Sequence, residues 1–130
     1  REILELMNFL KKGKACLYAP DQDYGFKNSI FIDFFGNKAL TVKFPYIAVR
    51  RTNCDVYLFS LEKKDHKYFA NFKKLNVFGK NLEEDLRTIN FEIEEFIRKN
   101  PDNYLWSHRR FKNRPDGEKS FYPNNLLRKR

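Results

Sequence analysis

Residues 82–98 read LEEDLRTINFEIEEFIR, and this stretch has the clearest helical pattern in the chain. Its apolar residues recur at the spacing of one helix face, which predicts a buried stripe made of Leu86, Ile89, Ile93, Phe96 and Ile97. Asn81 is placed to cap the amino end, where acidic side chains follow, and Pro101 is expected to end the element. A helix with such a stripe is predicted to pack on a sheet or on other helices.

The elements around this helix are predicted from shorter patterns. Apolar periodicity predicts two further helices, at 1–12 and at about 41–51. Short β-prone runs predict strands at 14–19, 30–35, 54–61 and 67–77, with a charged turn at 62–66. The order predicts an α/β fold in which a mixed sheet is flanked by helices. Residues 1–130 are expected to form the carboxy-terminal part of a single domain, completed by upstream sequence, with 124–130 frayed.

The predicted strand at 14–19 matters for function because Pro20 ends it and a polar loop follows at 20–29. In open α/β sheets, ligands bind at the carboxyl ends of the strands. Cys16 lies in this apolar run and Cys54 opens a later one. Both are therefore expected to be buried, reduced thiols, which fits a reducing compartment.

The chain is strongly basic, with a formal net charge of +9 at pH 7. This charge favours anionic partners, namely nucleic acid, acidic lipid headgroups or acidic proteins, without choosing among them. Many of the 14 Phe residues stand beside Lys or Arg, which fits the same three partners. No apolar run approaches the roughly 18 residues of a membrane-spanning helix, so any membrane attachment is expected to be peripheral or to come from further sequence.

Two carboxylates, Asp21 and Asp23, stand in the loop motif PDQDYG at 20–25. Paired acids at a sheet edge can position a catalytic histidine, bind a metal or hold a basic substrate. The same acids can instead accept hydrogen bonds from the amides of a turn, and their spacing alone favours this structural role.

A second motif, YLWSHRRFKNRP at 104–115, interleaves aromatic and cationic side chains. Guanidinium groups bind phosphate oxygens through two parallel hydrogen bonds, so one interpretation is a clamp for phosphate or carboxylate. The alternative is a basic segment whose arginines pair with acids at the edge of the core. His108 alone is more typical of a structural hydrogen-bonding histidine than of a base, and His66 is expected to be in solvent.

The order and spacing of several motifs resemble the lipid A late acyltransferases, the lauroyl and myristoyl transferases. The motifs that carry this resemblance are LKKGK at 10–14, YAPDQDYG at 18–25, FFG at 34–36, ALT at 39–41 and PDNYLWSHRRFKNRPDG at 101–117. The match extends over about residues 1–122 and weakens between 42 and 80. The resemblance implies the carboxy-terminal portion of a glycerolipid-acyltransferase-like fold.

The resemblance also implies a function. Enzymes of this family move a fatty acyl chain from acyl carrier protein to a hydroxyl of a Kdo-lipid A precursor, in lipopolysaccharide biosynthesis. The implied partners are the acyl carrier protein thioester, the lipid A precursor and the inner membrane surface, at the cytoplasmic face of the bacterial inner membrane. No metal, organic cofactor or nucleic acid is implied.

The family takes its general base from a His-x-x-x-x-Asp/Glu motif, which lies upstream of the region matched here. The motif requires an acid five positions after the histidine. Residue 71 lies five positions after His66 and residue 113 five positions after His108, and both are Asn, so neither histidine of this chain completes the motif. This chain alone is therefore expected to be inactive.

The resemblance implies a supporting catalytic role for Asp21. It implies substrate binding, or a part in holding the site together, by Asp23, Tyr24, Arg109, Arg110 and Lys112. Two departures from the family bear on acyl-chain or acceptor specificity. Asp33 stands where the family often has Pro, and VKFPY at 42–46 replaces a stretch rich in Gly and Thr.

Two other hypotheses remain open from the sequence. The chain could be a truncated relative without chemistry that binds lipid or protein. It could instead be a basic nucleic-acid-binding module whose aromatic and basic tail stacks on bases, although it contains no recognised nucleic-acid motif.

Overall fold

The computed structural model describes residues 2–123, in which three α-helices and two β-hairpins follow one another. The helices are α1 (Glu2–Lys11), α2 (Phe44–Thr52) and α3 (Leu82–Lys99), and a short 3₁₀ helix follows at Pro101–Asn103. The strands are β1 (Ser29–Phe34), β2 (Asn37–Val42), β3 (Tyr57–Lys64) and β4 (Lys67–Lys74). The predicted fraying of 124–130 lies outside the described residues.

The α/β class is confirmed, and the described strands pair as two antiparallel hairpins, β1 with β2 and β3 with β4. The core forms where α3 packs on the β1–β2 hairpin. Its buried residues include Ile32, Phe34, Ala39, Val49, Leu75, Leu86, Ile89, Ile93 and Ile97. The predicted stripe of α3 is confirmed, with Phe96 partly buried at its edge. Each fully buried Leu or Ile of this stripe contributes about 1.5–3 kcal/mol through removal of apolar surface from water.

The cap predicted for α3 is also confirmed. The side-chain oxygen of Asn81 accepts hydrogen bonds from the backbone N–H of Glu83 (3.0 Å) and Glu84 (3.2 Å). These bonds satisfy two of the amides that a helix leaves unpaired at its amino end. The first turn is acidic and the last turn is basic, which suits the helix dipole at both ends.

Both hairpins close through two residues with positive φ, the geometry of the type I′ turn that matches strand twist. These residues are Phe35 (49°) and Gly36 (73°) in the first hairpin, and Asp65 (47°) and His66 (62°) in the second. A charged turn was predicted at 62–66, and the turn itself consists of the two residues Asp65 and His66. His66 is exposed, as expected. In the first turn, the N–H of Phe35 donates to the Glu94 carboxylate of α3 at 2.8 Å, which attaches the turn to the helix.

The second predicted helix begins later than expected. α2 starts at Phe44, with Pro45 in its first turn as predicted, and Thr41 and Val42 belong instead to β2. The sequence analysis missed β2 as a strand. Thr41 pairs with Ile30 of β1 and supplies a β-branched side chain to a ladder that only tertiary pairing defines.

The prediction of a buried strand at 14–19 was wrong. Among the described residues this segment pairs with no strand, and Leu17 is 82 % exposed. A strand requires a neighbour that satisfies its backbone hydrogen bonds, and an apolar run cannot supply one. Cys16 is therefore exposed rather than buried, and Cys54 is half-buried; both are free thiols.

The apolar stripe predicted for the first helix is buried only in part. Met7 is 3 % exposed, whereas Ile3 and Leu4 are 46 % and 61 % exposed. Helix α1 contacts α2, so one edge of its stripe meets the rest of the described structure.

Candidate functional site

Asp23 joins the two sequence motifs, although ninety residues separate it from its main partner. Its side chain is buried, and its Oδ1 accepts hydrogen bonds from the N–H of Gly25 (2.9 Å) and from Nδ2 of Asn113 (2.8 Å). Its Oδ2 accepts from the backbone N–H of Asn113 at 3.3 Å. The bond to Gly25 is the turn-amide role that spacing favoured. The two bonds to Asn113 bring the loop motif and the carboxy-terminal motif to one place.

His108 makes a second connection between the motifs. Its Nε2 accepts a hydrogen bond from the backbone N–H of Asp23 at 2.9 Å, which confirms the structural role expected for this histidine. An imidazole that accepts through Nε2 carries its proton on Nδ1 and is neutral. Burial lowers the pKa of His108, and the positive charge of Lys112 lowers it further, so the neutral form prevails.

Arg110 connects the carboxy-terminal motif to the β1–β2 hairpin. The residue is 2 % exposed, and its guanidinium donates to the carbonyl of Leu40 and to Oγ1 of Thr41 at 2.9 Å. The same group lies over the ring of Phe34, 5.2 Å from its centroid. Burial lowers the pKa of Arg110, and the Tyr104 hydroxyl and neighbouring acids act against this shift. Arg110 therefore directs its donors inward, towards β2.

Asp21 is half-buried and lies near enough to several tyrosines and to two basic side chains of the second motif to act on their pKa values. After burial, which is the largest cause in each case, its charge contributes to the pKa shifts of Tyr18, Tyr24, Tyr104, His108 and Arg110. Burial and then Asp21 raise the pKa of Tyr104 to about 12. The structure thus places Asp21 on the same side of the molecule as the carboxy-terminal motif.

Two buried hydroxyl groups near Asp21 have no fully formed hydrogen bond within residues 2–123. The buried oxygens of Tyr18 and Tyr104 reach no acceptor or donor within bonding geometry, although Asp21 is near enough to Tyr104 to raise its pKa. These oxygens provide polar capacity beside Asp21 that no described residue uses.

The other predicted substrate-binding residues are more accessible. Tyr24 is 50 % exposed, its ring stacks on Tyr18 with centroids 6.0 Å apart, and its hydroxyl donates to the carbonyl of Ala19. Arg109 and Lys112 are half-buried on either side of Arg110. The structure therefore divides the predicted set into an inward pair, Asp23 and Arg110, and three residues at the surface of the same region.

Sequence reasoning did not single out Asn113 or Thr41. An amide or a hydroxyl carries no charge pattern, and their partners are fixed only by the folded geometry. Asn113 was quoted within the second motif, so its position was visible but its function as the partner of Asp23 was not.

Two surface grooves lie away from these motifs. One borders the amino end of α3 and the other lies between the β3–β4 hairpin and α3; neither borders a residue of 20–25 or 104–115. Within residues 2–123, no three His, Cys, Asp or Glu side chains lie close enough to hold a metal ion. None of the described helices combines the length and the apolar character needed to cross a membrane.

The sequence of the chain matches known proteins over most of its length. A model of the bacterial lipid A biosynthesis acyltransferase family matches residues 1–113, and the chain belongs to this family. It is 36 % identical over 121 residues to the lipid A biosynthesis palmitoleoyltransferase of Escherichia coli K12, covering 90 % of the chain and 40 % of that enzyme. It is 32 % identical over 127 residues to the lauroyltransferase of the same organism, covering 94 % of the chain and 42 % of that enzyme.

A third relative is the Escherichia coli lipid A biosynthesis myristoyltransferase. The chain is 31 % identical to it over 128 residues, which cover 88 % of the chain and 38 % of that enzyme. The chain thus spans about 40 % of the length of the relatives that it matches. The resemblance seen in the sequence motifs is confirmed at the level of the family.

Proposed function

We propose that this chain is the carboxy-terminal part of an acyltransferase of lipid A biosynthesis, with acyl carrier protein as donor and a Kdo-lipid A precursor as acceptor. The reaction is placed at the cytoplasmic face of the bacterial inner membrane. The observation that carries the proposal is the connection of the family's two motifs through Asp23, His108 and Asn113. The names of the relatives, all fatty acyl transferases of lipid A biosynthesis, support the reaction class.

The chemistry is transfer of an acyl group between a thioester and a hydroxyl. The acceptor oxygen attacks the thioester carbonyl, its proton passes to a general base, and the carbon–sulfur bond breaks to release the carrier thiol. We assign the base to the imidazole of a His-x-x-x-x-Asp/Glu motif in upstream sequence. His108 does not serve, because its Nε2 lone pair already accepts the N–H of Asp23.

Asp21 is proposed as the supporting acid. A half-buried carboxylate can orient an imidazole and stabilise the imidazolium that forms when the base takes the proton. The unpartnered hydroxyls of Tyr18 and Tyr104 beside it can donate to the carboxylate or to a bound substrate oxygen.

The cationic residues are proposed to have two functions. Arg109 and Lys112 lie at the surface and suit the phosphates of the lipid A precursor or of the carrier's prosthetic group. Tyr24, half of whose surface is exposed, is proposed to contact the same substrate. Asp23 and Arg110 direct their polar atoms inward, and we assign them the holding function that the family resemblance also allowed.

The test is Asp21→Asn in the intact protein, assayed by steady-state transfer of a radiolabelled acyl group from acyl carrier protein to the Kdo-lipid A precursor. The amide keeps the shape and removes the charge, so kcat should fall by about 100-fold or more while KM changes little. Asp65→Asn is the matched control: Asp65 is exposed at a turn position with φ of 47°, which Asn adopts equally well. Turnover of Asp21→Asn within about twofold of the control would overturn this role.

A further inference from the structure

The outer face of the β3–β4 hairpin is a row of apolar side chains that no described residue covers. In an antiparallel pair, residues directly opposite each other point to the same face. The four rungs of this face are Tyr57 with Lys74, Phe59 with Phe72, Leu61 with Ala70 and Lys63 with Tyr68. The apolar rungs are thus central, and each end rung combines a tyrosine with a lysine.

The central side chains of this face are widely exposed. Phe59 is 41 % exposed, Leu61 46 % and Phe72 70 %, and the rings of Phe59 and Phe72 lie 5.2 Å apart. The opposite face contacts the rest of the fold at its base, where Leu58 packs against the core and Lys73 pairs with Glu92 of α3, while Phe69 nearer the tip is 48 % exposed. The base of the hairpin is therefore held against α3 on one side, while its other side presents an apolar strip.

The lysines frame this strip with positive charge. Lys63 and Lys74 stand in the two end rungs of this face, and Lys63 lies over the ring of Tyr68, 5.8 Å from its centroid. Within the described part of the chain, Lys63 forms no ion pair, whereas Lys74 pairs with Asp55 at 2.8 Å. Tyr and Lys at the margins of an apolar patch suit the boundary between lipid headgroups and acyl chains.

We propose that this face lies on an anionic lipid bilayer, with Phe59, Leu61 and Phe72 inserted among the acyl chains and the end rungs at the headgroups. A second copy of the chain is disfavoured, because a two-fold pairing of this strip would bring its lysine-bearing ends against lysines. An acidic protein is disfavoured because the centre of the face offers no polar group for it to pair with. The inference deepens the proposed function, on which it rests for a lipid substrate near the membrane, by naming the surface that meets the lipid.

The test is a local one, so that other membrane contacts of the intact protein do not obscure it. Phe59→Trp in the intact protein is mixed with vesicles of phosphatidylcholine and phosphatidylglycerol, in which the acyl chains are brominated to quench tryptophan. The tryptophan emission that Phe59→Trp adds to that of the unsubstituted protein should be strongly quenched. Phe91→Trp is the matched control: Phe91 is 59 % exposed but belongs to α3 and borders the groove under the hairpin, so it should not be quenched.

Charge and apolar contact are separated by two further variants. Lys63→Gln should weaken binding to these vesicles by about fivefold and leave binding to pure phosphatidylcholine unchanged. Phe59→Ser with Phe72→Ser should weaken binding by at least about tenfold, without change in the unfolding midpoint, whereas Phe26→Ser with Phe91→Ser should not.

Three results would overturn the proposal. Equal quenching at positions 59 and 91 would remove the specific contact. A marked fall in the unfolding midpoint of Phe59→Ser with Phe72→Ser would show that the intact protein buries this face. A dimer that the same variant dissociates would assign the face to a second copy. Acyl transfer by the intact protein is measured separately in detergent micelles. Quenching at position 59 without acyl transfer would count against the proposed function alone. Acyl transfer without quenching at position 59 would count against this inference alone.

Discussion

The hydrogen bonds between Asp23 and Asn113 are expected to hold the two motifs together with measurable energy. Asp23→Ala removes a buried acceptor of three hydrogen bonds, one from Gly25 and two from Asn113. Hydrogen bonds to a charged group contribute about 1.5–3 kcal/mol each, and a donor left buried without a partner costs about 1–3 kcal/mol. Because neighbouring bonds are not additive, we expect a total loss of about 3–5 kcal/mol in the free energy of unfolding.

Asn113→Ala removes only the side-chain donor, at 2.8 Å from Oδ1, and keeps the backbone bond to Oδ2. It should cost about 1.5–2 kcal/mol. The double variant should then lose less than the sum, with a coupling energy of about 1.5–2 kcal/mol. The assay is equilibrium unfolding of the intact protein in urea, with the four members of the cycle measured under identical conditions.

The control cycle replaces Asp23→Ala by Asp102→Ala, which removes an exposed acid of the same carboxy-terminal region. That cycle should be additive within about 0.5 kcal/mol. If the effects of the Asp23 and Asn113 substitutions were equally additive, the reasoning would be refuted. A hydrogen bond between the two side chains in the folded protein would make their effects non-additive.

Two further predictions concern pH and close packing. Folding lowers the pKa of His108 below its ordinary value of 6.5, so as the pH falls the unfolded chain takes up the imidazole proton before the folded protein does. The free energy of unfolding should therefore be constant in this respect above about pH 6.5 and should decrease as the pH drops from there towards the folded pKa. His108→Gln keeps an acceptor for the Asp23 N–H without titrating, and its urea unfolding should lack this part of the decline; identical pH profiles would contradict the assignment. Gly79→Ala should cost about 2–4 kcal/mol, because the added Cβ would lie 2.7 Å from the backbone nitrogen of Arg50 at a φ of +67°. Gly36→Ala, at a similar φ with open space around it, should cost only about 1–2 kcal/mol in the same unfolding assay, and equal losses at the two positions would show that no close contact exists.

Helix α3 could be predicted from the sequence because its determinants are local. The apolar spacing, the Asn81 cap and the closing Pro101 all lie within or beside the element. The strand expected at 14–19 failed for the opposite reason, since a strand exists only with a neighbour, and an apolar run does not specify one. β2 was missed because Thr41 and Val42 fit the start of an apolar helical pattern as well as the end of a strand, and their pairing with β1 decided between them.

The candidate site was predictable as a set of residues but not as a set of roles. Both motifs are visible in the sequence and indicate the family, and the match to the family model confirms that identification. It could not decide whether Asp23 holds a turn or a substrate, because its second partner stands ninety positions further along the chain. Nor could it show that Arg110 points towards Leu40 and Thr41, since neighbouring cationic residues look alike in sequence whichever way their side chains turn.

The most direct test of the convergence of the two motifs is the hydrogen bond from the backbone N–H of Asp23 to Nε2 of His108, at 2.9 Å. In ¹⁵N-labelled intact protein at neutral pH, nuclear magnetic resonance can detect scalar coupling across such a bond and can identify which ring nitrogen is protonated. We expect coupling between the Asp23 amide nitrogen and Nε2 of His108, with the proton on Nδ1. A proton on Nε2 would contradict the account, because a protonated Nε2 cannot accept the Asp23 N–H and this connection between the two motifs would then not exist.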